Sequence, residues 1–412
     1  MASRPTPFLD RLDRAAGTPL ARAGVLAVGV LAVYLQAHFF FLAESHEVDS
    51  YSYWFAAEAV AHGRDPYDTA ALQAAGRAHE LRLVRSDSRA PDIYPYVYPP
   101  PFAGLWRATL VLSPIVTHRL LEALGAVLLG VAVWLLHRLV APRRHGGLLF
   151  ALFALGLAVN GPAVSSTRLG QLNTPLLVAM LVATDAWRRR ADLRSAAVLA
   201  AAMLVKLSPA MLLLGWGLGE PGRRWWRYAG LFAAAVATLV VVTLPLAPVV
   251  QWSHFAAALR SGIPWQTTYS WWGWLTVHGE RAPWLLEWRA PLYLAAVASL
   301  SGCAFVLLRH TPREDRATEG AAVGMVFMLL LSPLTWQHHF LFFMLPAYAW
   351  IGRVWDQDRR LLAGALGALS LLVLLRLPGG WLAIRPAATF AALLLTTFAS
   401  TRVQRPALNS GS

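Results

Sequence analysis

Apolar runs of transmembrane length, or slightly less, recur along most of the chain and are separated by short polar stretches rich in arginine. The first run, Ala23 to Leu42, ends at His46-Glu47-Val48-Asp49-Ser50-Tyr51-Ser52-Tyr53-Trp54. Carboxylates and tyrosines at the mouth of a membrane helix are costly in lipid, so this stretch predicts a site at the bilayer surface. A polar segment of about 55 residues follows, too long for a tight connection and aromatic enough to lie on the membrane. Leu72 to Val84 within it has the pattern of an amphipathic surface helix, with Arg77, Arg82 and Arg85 toward headgroups. The segment closes in Tyr94-Pro95-Tyr96-Val97-Tyr98-Pro99-Pro100-Pro101, whose three consecutive prolines predict a stiff extended strip and no helix.

Phe102 to Ser113 is short for a span, whereas Leu120 to Leu136 is long enough. If both crossed, the stretch from His137-Arg138 to Arg143-Arg144 would face outward, against the cytoplasmic preference of arginine-rich loops, so the first piece reads as re-entrant. Leu148 to Val164 then goes out and Thr174 to Trp187 returns to Arg188-Arg189-Arg190. Between that basic loop and Arg223-Arg224-Trp225-Trp226-Arg227, the apolar stretch is interrupted by Lys206-Leu207-Ser208-Pro209. Two basic loops on one side require an even number of crossings, and Pro209 supplies the break for a hairpin of two half-helices with Lys206 at its outer tip. Ala229 to Pro245 leads to a second external segment at about 247–289; Leu292 to Leu308, Ala322 to Ser332 and Phe340 to Ile351 follow. Leu361 to Leu375 and Leu382 to Phe398 form a final hairpin.

The expected architecture is an all-α polytopic membrane protein of about 10–12 transmembrane helices, one domain over 1–412, with external loops near 44–101 and 247–289. Its ends, about 1–15 and 403–412, are expected to be disordered, and the first helix to be retained. The composition agrees: 57% of the 412 residues are hydrophobic and 14% charged. A formal charge of +14 could indicate nucleic acid, but the arginines sit between apolar runs, where they read as topology signals and lipid contacts. Of 35 arginines, 22 fall on the cytoplasmic side of this scheme, which places both termini in the cytoplasm of a plasma-membrane protein. Cys303 is the lone cysteine, so no intrachain disulfide can form.

The scheme gathers the unusual polar groups at outward-facing helix ends: Asp49, the Tyr98-Pro99 strip, Gly170-Gln171-Leu172-Asn173, Lys206, Ser270-Trp271-Trp272-Gly273-Trp274 and Trp336-Gln337-His338-His339. Their convergence predicts one extracytoplasmic pocket. Asp49, short and held just above the membrane, suits a general base for an acceptor hydroxyl, although a helix cap or arginine partner is an equal reading; Glu47 is its nearest competitor. Lys206, the one lysine beside 35 arginines, suits a compact positive charge on a phosphate or a snorkelling side chain, and Arg168 could assist. His338 and His339 suit phosphate or sugar contacts better than a metal, for which the pattern offers no further ligands, and on a helix only one of the two need face the pocket. Trp265, Trp271, Trp272 and Trp274 read first as an aromatic belt and second as a sugar- or lipid-binding loop. Asp356-Gln357-Asp358 has no α/β domain beside it to hold a nucleotide and is set aside.

Taken in order, these motifs resemble glycosyltransferase family 87, multi-spanning transferases of the GT-C type that use polyprenol-phosphate-mannose. The similarity rests on Asp49, Tyr51, Tyr53 and Trp54; Gly63-Arg64-Asp65-Pro66-Tyr67; Tyr98-Pro99-Pro100; Gly170-Gln171-Leu172-Asn173; Lys206 with Pro209; and Ser332-Pro333-Leu334-Thr335-Trp336-Gln337-His338-His339. Where the family usually has Asn-Gln-Ser in the late external loop, this chain reads Thr268-Tyr269-Ser270, which leaves the acceptor open. The resemblance implies transfer of a sugar, with mannose favoured, from a polyprenyl-phosphate-sugar to a glycolipid or glycan, with inversion and without metal or cofactor. Asp49 would be the base; Tyr53, Tyr98, Arg168, Gln171, Asn173, Lys206, Ser270, Trp272, His338 and His339 would contact substrate, with membrane lipids as further partners. A transporter or flippase of lipid-linked sugars, or a related enzyme using arabinofuranose or a diphosphate donor, remains an alternative.

Overall fold

In a computed structural model, which describes residues 7–44, 49–79, 93, 95–140, 142, 145–261, 269–279, 282–332, 334–375 and 384–402, helices account for nearly all regular structure. Helix α1 (Pro7–Ala16) occupies most of the first fifteen residues, expected to be loose, because it turns Phe8 and Leu12 outward while the Asp13 carboxylate accepts the Leu148 N–H at 2.9 Å. Residues 1–6 and 403–412 lie outside the described residues. The first long helix, α2 (Pro19–Glu44), leads to α3 (Asp49–Ala61) and α4 (Thr69–Ala78), whose N-terminus is capped by Asp68. This second helix of the polar segment starts before the expected Leu72; Arg82 and Arg85 fall outside the described residues, as do Glu47, Tyr94, Trp265, Thr268 and Pro333.

The proline strip is extended only to Pro99, and α5 (Pro100–Trp106) begins on the next two prolines. The expectation of no helix there fails because the first turn needs no N–H donors and favours the fixed proline φ. A 3-10 turn, Arg107–Val111, completes this short piece before α6 (Pro114–Val140). The span expected over Leu148 to Val164 is broken into α7 (Gly146–Gly156) and α8 (Gly161–Arg168), with Asn160 between them capping α8 through its side-chain oxygen. Helices α9 (Asn173–Arg188), α10 (Asp192–Val205), α11 (Leu212–Gly219) and α12 (Arg223–Thr243) follow. The polar segment after them carries α13 (Val249–Ser261), α14 (Trp271–Gly279) and α15 (Pro283–Glu287). Then come α16 (Arg289–Arg309), α17 (Arg316–Leu331), a 3-10 segment Gln337–Phe343, α18 (Met344–Asp356), α19 (Arg360–Leu374) and α20 (Ile384–Arg402).

Among the described residues, Pro19–Phe39 within α2, and α6, α12 and α16, are long and apolar enough to cross a membrane. The remaining helices are shorter, and the interruptions between them carry the chain's unusual chemistry. Lys206 sits at such a break: α10 and α11 return to one end, where Arg224 bridges Asp192 at 2.9 Å and Glu220 at 2.6 Å, while Lys206 lies at the other. The two legs splay into a wedge. α10 packs on α9 and α12, whereas α11 lies along α17. That second contact depends on bare glycine surfaces, since a Cβ on Gly215 would fall 1.9 Å from the Gly320 carbonyl oxygen.

Polar groups sort to two ends of the bundle. At the Arg224 end, Arg353 pairs with buried Glu319 at 2.6 Å, Trp350 Nε1 donates to the same carboxylate, and a cavity of about 760 Å³ is lined by Arg188, Glu319, Arg353 and Asp356. At the opposite end lie the motifs singled out from the sequence.

Candidate active site

The site assembles where five helix interruptions meet. Asp49 opens α3, in the first turn, where the unpaired backbone N–H groups favour a negative charge. One residue on, the Ser50 hydroxyl meets His118 Nδ1 at 2.9 Å, and the Ser50 N–H donates to the Leu169 carbonyl at 3.3 Å. That carbonyl belongs to the turn ending α8. Gly170 follows it with φ +62°, and its N–H and that of Gln171 return to Thr167 and Ser166, closing the helix in a left-handed cap. Only a glycine fits there: a Cβ would lie 2.8 Å from Ser50 Cβ and 3.0 Å from His118 Nδ1.

Past that cap, the Gln171 side-chain oxygen receives the Tyr98 hydroxyl at 3.3 Å and the Tyr53 hydroxyl at 3.4 Å, while the two phenols lie 2.7 Å apart. Tyr53 and Tyr98 are buried, and Asp49 lies within electrostatic reach of both. Burial first, and that carboxylate's field second for Tyr98, hold both phenols above the ordinary tyrosine range, so they remain hydrogen-bond donors. Tyr67, from the Gly63-Arg64-Asp65-Pro66-Tyr67 turn, braces the strip by donating its hydroxyl to the Tyr98 carbonyl at 2.7 Å.

Lys206 reaches this group from the wedge tip. Its Nζ lies 5.9 Å from the centre of the Tyr98 ring, donates to Asn173 Oδ1 at 3.2 Å, and meets His339 Nε2 at 2.5 Å. Asp49 is also within electrostatic reach of Lys206. The geometry of His339 bears on the chemistry. Its Nδ1 lies 3.1 Å from the Trp336 N, the Leu334 carbonyl is also within reach of the ring, and Nε2 is the atom that faces Lys206. With Nε2 as acceptor, Lys206 gives one N–H to His339 and one to Asn173. Its third N–H can be given to an anion.

His338 lies beside His339, the ring centres 4.6 Å apart and perpendicular, with Lys206 and Arg168 in electrostatic reach. His338 to Phe343 are all buried, and of the two histidines it is His339 that contacts Lys206. Direction around a helix no longer separates inside from outside where every face is covered. Ser270 and Trp272 are less directly engaged. The Ser270 hydroxyl accepts the Gly273 N–H at the start of α14, and Trp272 lies between Tyr293 and the Arg289 guanidinium. Their loop is tied to the histidine segment through the backbone, Tyr269 N–H to the Thr335 carbonyl at 2.6 Å.

Asp49, Tyr53, Tyr98, Gln171, Asn173, Lys206 and His339 thus form one connected group, with Arg168 and His338 beside it. Residues 96–333 match the model of glycosyltransferase family 87, well over half of the chain. The chain belongs to glycosyltransferase family 87. Among curated proteins, a polyprenol-phosphate-mannose-dependent alpha-(1-2)-phosphatidylinositol mannoside mannosyltransferase of Mycobacterium tuberculosis is 29% identical over 303 residues, covering 68% of this chain and 67% of that protein. No solved structure matches the chain. As a family 87 enzyme, the chain is a multi-pass membrane glycosyltransferase, and its motif residues gather at one end of the bundle. Sequence reasoning missed Ser50 and His118, which hold the first turn of the helix bearing Asp49. Gly170 was the available signal, because a glycine ahead of a polar pair marks a close backbone approach.

Proposed function

We propose that this glycosyltransferase moves mannose from a polyprenyl-phosphate-mannose donor to a hydroxyl group of a glycolipid or glycan. The reaction inverts the anomeric carbon and takes place on the extracytoplasmic face of the plasma membrane, with both chain ends in the cytoplasm. The observation that carries the reading is the Lys206 ammonium, held between Asn173 and His339 with one N–H left to give, and with Asp49 in electrostatic reach. The choice of mannose and of a lipid-linked donor is supported by the name of the mycobacterial relative.

In this mechanism the donor phosphate accepts from Lys206, which His339 and Asn173 orient, with Arg168 and His338 adding positive potential and polarity. The Asp49 carboxylate takes the acceptor hydroxyl proton as its oxygen bonds to the anomeric carbon, and the bond from that carbon to the phosphate oxygen breaks on the opposite face. Polyprenyl phosphate leaves as an anion already held by its donors, so no general acid is needed. Tyr53, Tyr98 and Gln171 orient the sugar, and Asn173 fixes Lys206 at the wedge tip.

The test is Asp49→Asn in purified protein. Loss of a general base lowers turnover by about 10²–10⁴-fold, while donor binding and melting temperature stay near the wild-type values. Full activity in this variant removes Asp49 from the mechanism. Movement of the sugar lipid across vesicles without a new glycosidic bond would instead support a flippase.

A further inference from the structure

Arg385 stands near the start of α20 and is only 1% exposed, yet among the described residues just one of its nitrogens is occupied, Nη2 donating to the Leu375 carbonyl at 2.8 Å. Nε and Nη1 are buried without a hydrogen-bond partner among those residues. One turn further along the same face, Thr389 is fully buried and its hydroxyl is also unpartnered. The guanidinium lies 5.8 Å from the centre of the Phe340 ring, and Phe340 directly follows His339. The phenol of Tyr269 lies within electrostatic reach of the guanidinium, and its backbone is bonded to Thr335, whose buried hydroxyl has no partner either.

No carboxylate among the described residues forms an ion pair with Arg385. Nor does the sequence supply one nearby: residues 376–383, immediately before α20, and 262–268, before Tyr269, contain no aspartate or glutamate. A buried guanidinium with one carbonyl and one ring face is not compensated for the loss of water. The two free nitrogens belong to a planar fork that matches two oxygens of a phosphate, and the Thr389 hydroxyl adds a third donor of the same kind.

We propose that Arg385, with Thr389, forms a second anion site, distinct from the Lys206–His339 pair, that takes the singly charged phosphate ester of a lipid substrate. The donor's single phosphate is placed at the Lys206–His339 pair, so the occupant here is the phosphodiester of a phospholipid-based acceptor. The proposal rests on the reading of the chain as a lipid-phosphate-sugar transferase. Two phosphates held one residue apart along the Gln337–Phe343 segment would bring the two lipids to the same end of the bundle.

The experiment compares wild type, Arg385→Gln, Arg385→Lys and Arg385→Met in nanodiscs, all also on an Asp49→Asn background. Binding is read as thermal stabilisation by polyprenyl phosphate, by phosphatidylinositol and by uncharged diacylglycerol. Transfer is read as separate KM values for polyprenyl-phosphate-mannose and phosphatidylinositol mannoside. We expect Arg385→Gln to abolish stabilisation by phosphatidylinositol and to raise the KM for phosphatidylinositol mannoside at least tenfold, with the donor values unchanged. Arg385→Lys should recover part of both effects. Loss confined to polyprenyl phosphate would place the donor phosphate at Arg385 and overturn the second site. Arg385→Met should leave the lipid-free melting temperature unchanged or raise it, because an uncompensated charge is removed. A melting temperature that falls in Arg385→Met, or unchanged lipid stabilisation in Arg385→Gln, overturns the proposal. Lipid binding that depends on Arg385 in a wild-type protein making no glycoside would sustain the anion site and refute the transferase reading alone.

Discussion

Gly170→Ala tests whether the turn ending α8 sets the position of the catalytic end of α3. At φ +62° an alanine takes on a left-handed backbone cost of about 1–2 kcal/mol. Its Cβ would also stand 2.8 Å from Ser50 Cβ and 2.9 Å from Ser50 Oγ. Carbon atoms pack at roughly 3.5–4.0 Å, so Ser50 must retreat by most of an ångström, and overpacking of this kind adds about 1–3 kcal/mol. The sum is a loss of about 2–5 kcal/mol of stability. The displaced residue neighbours Asp49, and a misplacement of about 1 Å at reacting groups lowers rate by about 10²-fold. Turnover should therefore fall on that order in a purified transfer assay, with the donor KM little changed because Lys206 is held from the wedge and not from α3. Gly63→Ala is the control: Gly63 has φ +68° with nothing within 4 Å of an added methyl, so it should show the backbone cost without loss of turnover. Ser50→Gly removes both atoms nearest the clash together with the His118 contact, so Gly170→Ala should cost the Ser50→Gly enzyme much less rate than it costs the wild type. A Gly170→Ala enzyme of normal turnover, or an equal loss in both backgrounds, would show that Ser50 does not transmit the turn's geometry to Asp49.

Two further variants address the phosphate and the sidedness. Lys206→Met should lower kcat/KM for the donor on the order of 10²-fold, with the acceptor KM unchanged, and Lys206→Arg should recover only part of it, because a planar guanidinium cannot replace a compact ammonium between Asn173 and His339; equal loss of both substrates would place Lys206 outside the donor site. In a Cys303→Ser background, an impermeant thiol reagent on intact cells should label Ala70→Cys, exposed on α4 at the Asp49 end, and should label Arg223→Cys, exposed at the Arg224 end, only after permeabilisation. Labelling of both from outside overturns the topology.

The sequence made the membrane class and the two-ended sorting of charge legible, because lipid penalises a misplaced arginine far more than a folded interior penalises a misplaced leucine. It also located the wedge, since Pro209 beside Lys206 cannot continue a helix. Pro99-Pro100-Pro101 misled because the same residue that ends a helix from within can begin one, and the distinction depends on which residue is first. Asn160 was overlooked although Gly161 and Pro162 follow it, because apolar positions resume at Ala163; its side chain caps α8 and divides the span. Ser50 with His118 are 68 positions apart, and no local pattern records such a pairing.

The residues that could be read and those that could not share a physical explanation. Asp49 opens α3, Tyr98 precedes α5, Gln171 lies between α8 and α9, Lys206 lies between α10 and α11, and His339 lies in a 3-10 segment. Each interruption leaves backbone polar groups without helical partners, and in a membrane such groups are confined to the protein interior or to a water-filled cavity. Breaks at one level are thereby driven together, and whatever side chains they carry are collected with them. Glycine, proline and asparagine announce those breaks, so the site was legible through its helix breakers before its acids and bases. His118 and Arg385 lie near the starts of α6 and α20, helices that read as ordinary spans, and the prolines beside them, Pro114 and Pro386, mark only a helix start. In a bundle of this kind, polar side chains in the first turns of unbroken helices are therefore where the unread part of a site is to be sought.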